Sequence, residues 1–280
     1  MKRKIEKMAQ GQPTTDGAGV HLVRVLGAAT VEDFDPFHML DSFDSTDPAD
    51  YEAGFPLHPH RGIETISYLA QGNMVHEDTV GNKDQITDGE VQWMNAGSGV
   101  EHSEMLPASP RMLGVQLWLN LPADQIMSLP SYRSIKKEEI EEILIEGGKL
   151  RLLAGKYKDH VGYQGDHLPL TYYELQLAQG QKLTLPTEEE DMVMLFTLLG
   201  EIEVNGERIP EKTAVKLGRG TELSLKSQSP LARILFLESR PLHEPVAWAG
   251  PIVMNREEEI RQAFQDLRNG EFIKDRIDYE

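Results

Sequence analysis

Tyr68-Leu69-Ala70-Gln71-Gly72-Asn73-Met74-Val75 reads as a strand, a glycine turn and a second strand. Aromatic and aliphatic residues flank Gly-Asn, a pair suited to tight turns. Thr197-Leu198-Leu199-Gly200-Glu201-Ile202-Glu203-Val204 repeats the pattern, with Gly200 standing 128 positions after Gly72. One such motif is ordinary in any β protein; its recurrence suggests two related halves. Working outward, residues 20–26, 63–69, 73–77, 90–95 and 113–119 carry alternating, β-branched or aromatic runs between turn residues. A second series follows at 150–154, 171–177, 182–185, 192–198, 201–204, 214–217, 222–226 and 232–238. Many short strands at regular spacing predict an all-β chain of sandwiches or barrels.

Two segments read as helix. Residues 135–146 are rich in Glu, Lys and Ile, follow Ser134 as a candidate cap and stop at Gly147-Gly148. Near the end, Asn255 suits an N-cap and Glu258 holds the capping-box position. Ile260, Ala263, Phe264 and Leu267 then fall at i, i+3, i+4 and i+7, and Gly270 closes the run. That stripe should dock on a barrel. The organisation expected is a barrel over 1–135, a second over 136–254, and a helix with a tail over 255–280.

The composition narrows the chemistry. The 280 residues include no cysteine, which excludes disulfides, thiolate metal sites and a cysteine nucleophile. With 28 basic against 46 acidic side chains the formal charge is −18. Such a surface repels phosphate backbones and anionic lipid, so neither nucleic acid nor membrane is expected as a direct partner, whereas a basic protein would suit it. No signal-like apolar run follows the basic start, and the apolar stretch at 192–199 is too short to span a bilayer, so a cytoplasmic location is expected. Residues 32–52 hold eight carboxylates and no Lys or Arg. Their spacing lacks the central glycine of a calcium loop, which favours a solvated loop and sheet edge.

Two stretches carry ligand chemistry. In His58-Pro59-His60-Arg61-Gly62-Ile63-Glu64, positions i and i+2 of an extended chain face one side, so His58 and His60 project together. Glu64 would face the same way if the strand stayed regular. In Gly97-Ser98-Gly99-Val100-Glu101-His102-Ser103-Glu104, His102 and Glu104 are again two apart. Two such strands can meet inside a barrel around one ion. Three neutral imidazoles and a carboxylate suit a divalent transition metal and leave positions open for water, substrate or dioxygen. The other histidines read as surface or core residues; His76 is the next pocket candidate, with a solvated strand position preferred.

The run Leu57 to Thr65 resembles the first signature of the pirin family, within the cupin superfamily, and Asp88 to Met105 resembles the second. Asp35-Pro36-Phe37 with Leu40-Asp41, and Gly250-Pro251-Ile252-Val253-Met254-Asn255, are similar to its terminal segments. The resemblance implies two cupin barrels (double-stranded β-helix, jelly-roll) packed face to face, with a metal in the first alone. It implies His58, His60, His102 and Glu104 as ligands. The general cupin pattern would use Glu64 instead; here Glu64 is expected to orient a histidine or Arg61. At the 128-residue offset His58, His60 and His102 fall on Pro186, Glu188 and Pro230, which supports a second barrel without a metal site.

Members of that family are described as quercetin 2,3-dioxygenases and, in animals, as transcription cofactors. The first activity would have the ion hold a small aromatic, flavonol-like substrate beside O2. Glu104, ligand and candidate catalytic base, would take the 3-hydroxyl proton before ring opening expels carbon monoxide. Iron(II) is the first expectation for the ion, and manganese, nickel, cobalt, copper and zinc suit the same donors. Met94, Trp93 and Val115 are candidate pocket walls, Trp93 equally a core residue. The competing reading is a metal-containing, redox-sensitive binding module acting on a protein partner.

Overall fold

The computed structural model describes residues 1–274 of the chain, so the end of the expected C-terminal tail lies outside the described residues. The first strands in chain order are β1 (Ile5–Gln10), β2 (Gln12–Asp16), β3 (Val20–Leu26), β4 (Phe37–Ser45), β5 (Phe55–His60), β6 (Ile63–Gln71), β7 (Met74–Asp78), β8 (Lys83–Ile86), β9 (Val91–Asn95), β10 (Val100–Met105), β11 (Met112–Asn120) and β12 (Ser131–Ile135). There follow β13 (Glu141–Ile145), β14 (Gly148–Ala154), β15 (Lys156–Tyr157), β16 (His160–Val161), β17 (Thr171–Ala178), β18 (Lys182–Pro186), β19 (Met192–Leu199), β20 (Ile202–Val204), β21 (Glu207–Ile209), β22 (Thr213–Leu217), β23 (Glu222–Ser227) and β24 (Leu231–Ser239). A short pair, β25 (Ala247–Ala249) and β26 (Ile252–Met254), leads into α1 (Glu257–Asn269).

These strands form two compact units. In the first, a seven-stranded sheet ordered β12-β9-β6-β11-β4-β3-β2 accompanies a four-stranded sheet ordered β5-β10-β7-β8. In the second the orders are β1-β22-β19-β24-β17-β14-β13 and β18-β23-β20-β21. The two descriptions match strand for strand, so the repeat read around Gly72 and Gly200 is a structural one. Each glycine has positive φ (+126° and +71°) and hands the chain from the large sheet to the small one. Leu150, Leu183, Val193, Ile202, Val215, Leu223 and Phe236, drawn from both sheets, belong to the core of the second unit.

Three expectations need correction. The domain boundaries move: residues 1–12, where β1 pairs with β22, and 25–36 group with 137–242, while 13–24 and 243–274 group with 37–136. The helix expected over 135–146 is absent. Its residues form the end of β12, a turn and β13, and β13 pairs with β14 around a tight turn at Gly147, φ +77°. The backbone of Glu141-Glu142-Ile143-Leu144-Ile145 gains cross-strand partners there, which overrides the helix propensity of Glu and Leu. The acidic run at 32–52 is not simply a solvated edge. Its β4 lies inside the sheet between β11 and β3, and buried Asp41 accepts from Arg24 Nε and Nη2 at 2.9 and 2.7 Å.

The C-terminal helix begins one residue later than expected. Arg256 is its N-cap, and Glu259 rather than Glu258 accepts from the Arg256 and Asn255 backbone N–H groups, at 3.0 and 3.2 Å. Gly270 ends it in the left-handed region, φ +72°. Ile260 and Ala263, with Phe264 and Leu267 beside them, pack against Leu121, Ile126, Ile252, Met254 and Phe272. The apolar stripe thus docks on the first unit, as its spacing predicts.

Candidate metal centre

Three neighbouring strands build the centre. β10 lies between β5 and β7, and its register sets His102 opposite His58 on one side and Asp78 on the other, with Glu104 opposite His76. Residues directly opposite share a face, and i and i+2 share it too. His58 and His60, His102 and Glu104, and His76 and Asp78 therefore make three inward pairs. Met74 and His76 are buried while Glu77 between His76 and Asp78 is exposed, the alternation of a half-buried strand. His60 and Glu104 are nearly inaccessible and His102 and His76 wholly so; His58 is half-buried. The solvated position expected for His76 is thus wrong. The signal was a His-x-Asp pair with the same spacing as the other two.

One ring nitrogen from each of His58, His60 and His102 lies within 4.8 Å of the others, and the same holds for one ligand atom from each of His76, His102 and Glu104. The hydrogen-bond partners fix the tautomers. His58 Nδ1 meets the Pro56 carbonyl at 2.8 Å and His60 Nδ1 meets the Pro251 carbonyl at 2.9 Å. A carbonyl oxygen only accepts, so each Nδ1 carries the proton. In the neutral rings each Nε2 is then a bare lone pair, and these two lone pairs face each other at 3.1 Å. His102 Nε2 is buried with no hydrogen-bond partner. Burial first, and the neighbouring His58 ring second, push the His60 imidazolium down to about 3, and burial likewise carries His102 well below its usual value. Neutral imidazoles with converging lone pairs are repulsive as they stand and fit one cation between them.

Glu104 is held from the large sheet. Gln92 Nε2 donates to its Oε1 at 2.6 Å and Gln116 Nε2 to its Oε2 at 2.8 Å. Gln116 also reaches Ser67 Oγ at 3.2 Å, and the Tyr132 hydroxyl reaches Gln92 Oε1 at 3.4 Å. Trp118 sets its ring edge-on to His60, centroids 5.0 Å apart, and its indole N–H is buried with no partner. Neither glutamine had a local sequence signal, since their bonds to Glu104 cross from one sheet to the other. Of the expected walls, Met94 packs with Met39 and Trp118, while Val115 is fully buried.

Glu64 lies elsewhere. Gly62, at φ +82°, breaks the strand between His60 and Ile63, and a Cβ there would stand 1.8 Å from the Val253 carbonyl oxygen. β6 therefore joins the other sheet, and Glu64 Oε1 accepts from the Trp93 indole N–H at 3.0 Å. Trp93 is accordingly a core residue with a buried partner. Most of the bonds that hold His60 and Arg61 come from the C-terminal segment. Besides the Pro251 contact, buried Arg61 donates to Ser98 O at 2.7 Å, Asp266 Oδ2 at 2.8 Å and Phe272 O at 2.8 Å, with its guanidinium 4.3 Å over the Phe272 ring. Burial would raise the Asp266 carboxyl, but bonds from Gln262, Arg61 and Lys274 outweigh it and hold it at about 2.

The second unit shows what the same frame holds elsewhere. Pro59 and Pro186, and Gly-x-Gly at 97–99 and 218–220, align the two small sheets. The His58–His102 register then becomes Leu185–Leu223, and His76–Glu104 becomes Val204–Leu225. Opposite His60 in this alignment stands Thr187, whose hydroxyl accepts from Arg3 Nε at 2.8 Å. The constant offset of 128 pointed instead to Pro186, Glu188 and Pro230; unequal loop lengths displace it.

Two double-sheet barrels of one strand order, the first bearing this histidine cluster, define a two-domain cupin. Residues 19–119 match the Pirin family and residues 172–273 match the Pirin C-terminal cupin domain; the chain belongs to the pirin family. A Pseudomonas aeruginosa protein provisionally named a quercetin 2,3-dioxygenase is 43% identical over 278 residues, covering 96% of this chain and 97% of its own. The crystal structure of quercetin 2,3-dioxygenase from Acinetobacter baumannii superposes with a TM-score of 0.89 at 32% identity, covering 97% of this chain and 99% of that one. A bacterial pirin from Escherichia coli in complex with nickel(II) shares the fold, with a TM-score of 0.63 at 21% identity over 84% of this chain and 98% of that one.

Proposed function

We propose that the first barrel holds one divalent transition metal through His58, His60, His102 and Glu104, and that the protein is a dioxygenase opening a flavonol-like ring with O2 and releasing carbon monoxide. The observation that carries this reading is the pair of imidazole lone pairs 3.1 Å apart beside a buried, partnerless His102 Nε2. The named relatives support the substrate class. Iron(II) is the proposed ion; the donor set suits nickel(II) equally, the ion of the Escherichia coli pirin complex. When bound, the ion would supply a Lewis-acid and redox centre for the adjacent substrate oxygens and for dioxygen.

The protein's own groups do the rest. Pro56 and Pro251 keep the His58 and His60 Nδ1 atoms protonated, so both Nε2 atoms stay ligating. Gln92 and Gln116 hold Glu104 as an oriented carboxylate, placed to take the substrate hydroxyl proton on Oε1 or Oε2 once either amide bond loosens. The Trp118 N–H is a donor for an acceptor beside His60. No described helix is long and apolar enough to cross a membrane, and the proposed location is the cytoplasm.

Elemental analysis should find close to one transition metal per chain, and His60→Ala should lose it. Anaerobic loading with iron(II), then quercetin and air, should release carbon monoxide and bleach the flavonol band. A metal-loaded protein that produces none refutes the dioxygenase reading and favours the redox-sensitive binding module, for which the charge of −18 suits a basic protein partner.

A further inference from the structure

We propose that His76 and Asp78 are positioning residues that fix His102 in the tautomer presenting Nε2 to the ion, an inference that rests on reading His58, His60 and His102 as one metal site. Asp78 Oδ2 lies 3.0 Å from His76 Nε2, and both side chains are fully buried. A carboxylate only accepts, so His76 Nε2 carries a proton. In the neutral ring His76 Nδ1 is then an acceptor, and it lies 3.4 Å from His102 Nδ1. The His102 proton therefore sits on Nδ1, and its Nε2 is left as a lone pair with no partner. The opposite polarity would bury an N–H on Nε2 with nothing to accept it, the costlier arrangement.

The result is one rule applied three times. Pro56, Pro251 and His76 each accept a hydrogen bond from the Nδ1–H of a histidine of the site, and three Nε2 lone pairs remain. For His102 the acceptor is an imidazole backed by a carboxylate, a stronger acceptor than a backbone carbonyl. Its orientation is also set. Tyr132 stacks on His76 with centroids 4.2 Å apart and planes 18° apart. Asp78 Oδ1 accepts from Val80 N at 3.0 Å and Asn82 N at 2.9 Å, while Asn82 Nδ2 donates to Oδ2 at 2.8 Å. The cluster of His76, His102 and Glu104 ligand atoms offers a rival role, in which His76 binds an ion itself. Both of its nitrogens are already engaged, which favours positioning.

The test compares Co(II) affinity by chelator competition in the wild type, His76→Phe and Asp78→Asn. Phenylalanine keeps a ring against Tyr132 but removes the acceptor. In Asp78→Asn the two backbone N–H groups hold Oδ1 as oxygen, so the amide nitrogen faces His76 Nε2. That N–H demands the other tautomer of His76, whose Nδ1–H then opposes the His102 Nδ1–H. Both variants should still saturate with one ion per chain, bind it roughly 10- to 100-fold more weakly, and shift the visible ligand-field bands of the Co(II) form. If His76→Phe fails to fold, Asp78→Asn decides. Unchanged affinity and spectrum beside a metal-binding wild type would overturn the inference and leave the metal site standing. Loss of saturation in His76→Phe alone would make His76 a ligand and overturn it as well. A wild type that binds no Co(II) would refute the metal site itself.

Discussion

Asp266→Ala should cut the tie between the C-terminal helix and the strands of the candidate metal centre. Arg61 is 2% exposed, and removing its carboxylate partner at 2.8 Å leaves a guanidinium charge in a low-dielectric interior. Breaking a buried ion pair from one side costs about 3–5 kcal/mol. The carbonyls of Ser98 and Phe272 still receive two of its N–H groups, and the Phe272 ring still faces the charge, so the lower end applies. The expected loss is about 3 kcal/mol, or a fall of roughly 6–12 °C in the melting of the first unit at about 2–4 °C per kcal/mol. Asp266→Asn, which keeps the shape and one oxygen acceptor, should lose less than half of that. Arg61 follows His60 directly and grips the Ser98 carbonyl in the loop leading to β10, so metal affinity should fall with stability. Urea and thermal melts of the metal-free protein, followed by metal titration, measure both. A melting point within 1 °C of the wild type would show that the ion pair does not hold the helix, and the latch would have to be assigned to the apolar stripe alone.

Gln116→Leu removes the donor to Glu104 Oε2 from a buried position and should destabilise the metal-free protein by about 1–3 kcal/mol, with part of the loss restored by metal; equal stability in urea melts would contradict the assignment. In the second barrel, burial first and the nearby carboxylates of Asp191 and Glu188 raise Glu238 to about 7, against the bond from Glu188 N and the charge of Arg3. The folded state therefore binds a proton that the unfolded chain has released between about pH 4.5 and 7. Stability should fall by up to about 3 kcal/mol as pH rises through that window, and Glu238→Gln should flatten the slope; a wild-type slope retained in the variant would refute it.

Much of the fold was legible because the barrel strands are short and separated by residues that form turns for physical reasons. Gly72 and Gly200 need positive φ, and both stood out as turn residues. The failures share a cause. Residues 141–145 contain good helix formers over a run too short for periodicity to decide, and only the partner strand β14 settles their state. Strand β1 completes the sheet of the second unit by pairing with β22, about two hundred residues away, and nothing within Ile5–Gln10 announces that partner. Local pattern reports faces and turns; it does not report which edge a strand closes.

The site divides along the same line. His58, His60, His102 and Glu104 were legible because period 2 puts them on common faces of two strands. His76 and Asp78 obey the same rule, but a lone histidine in a strand carries little information. Pro251, Asp266 and Phe272 reach His60 and Arg61 from the far end of the chain, and Gln92 and Gln116 reach Glu104 from the opposite sheet. These supporting contacts follow from burial itself. In the second barrel Leu185, Leu223, Leu225 and Val204 need no partners, so that barrel closes on aliphatic packing. In the first barrel every inward polar atom must be bonded or face an ion, because leaving one unsatisfied costs about 1–3 kcal/mol. The candidate metal centre therefore extends well past its four candidate ligands. Its supporting groups come from both sheets and from the C-terminal segment, and only the folded chain brings them together.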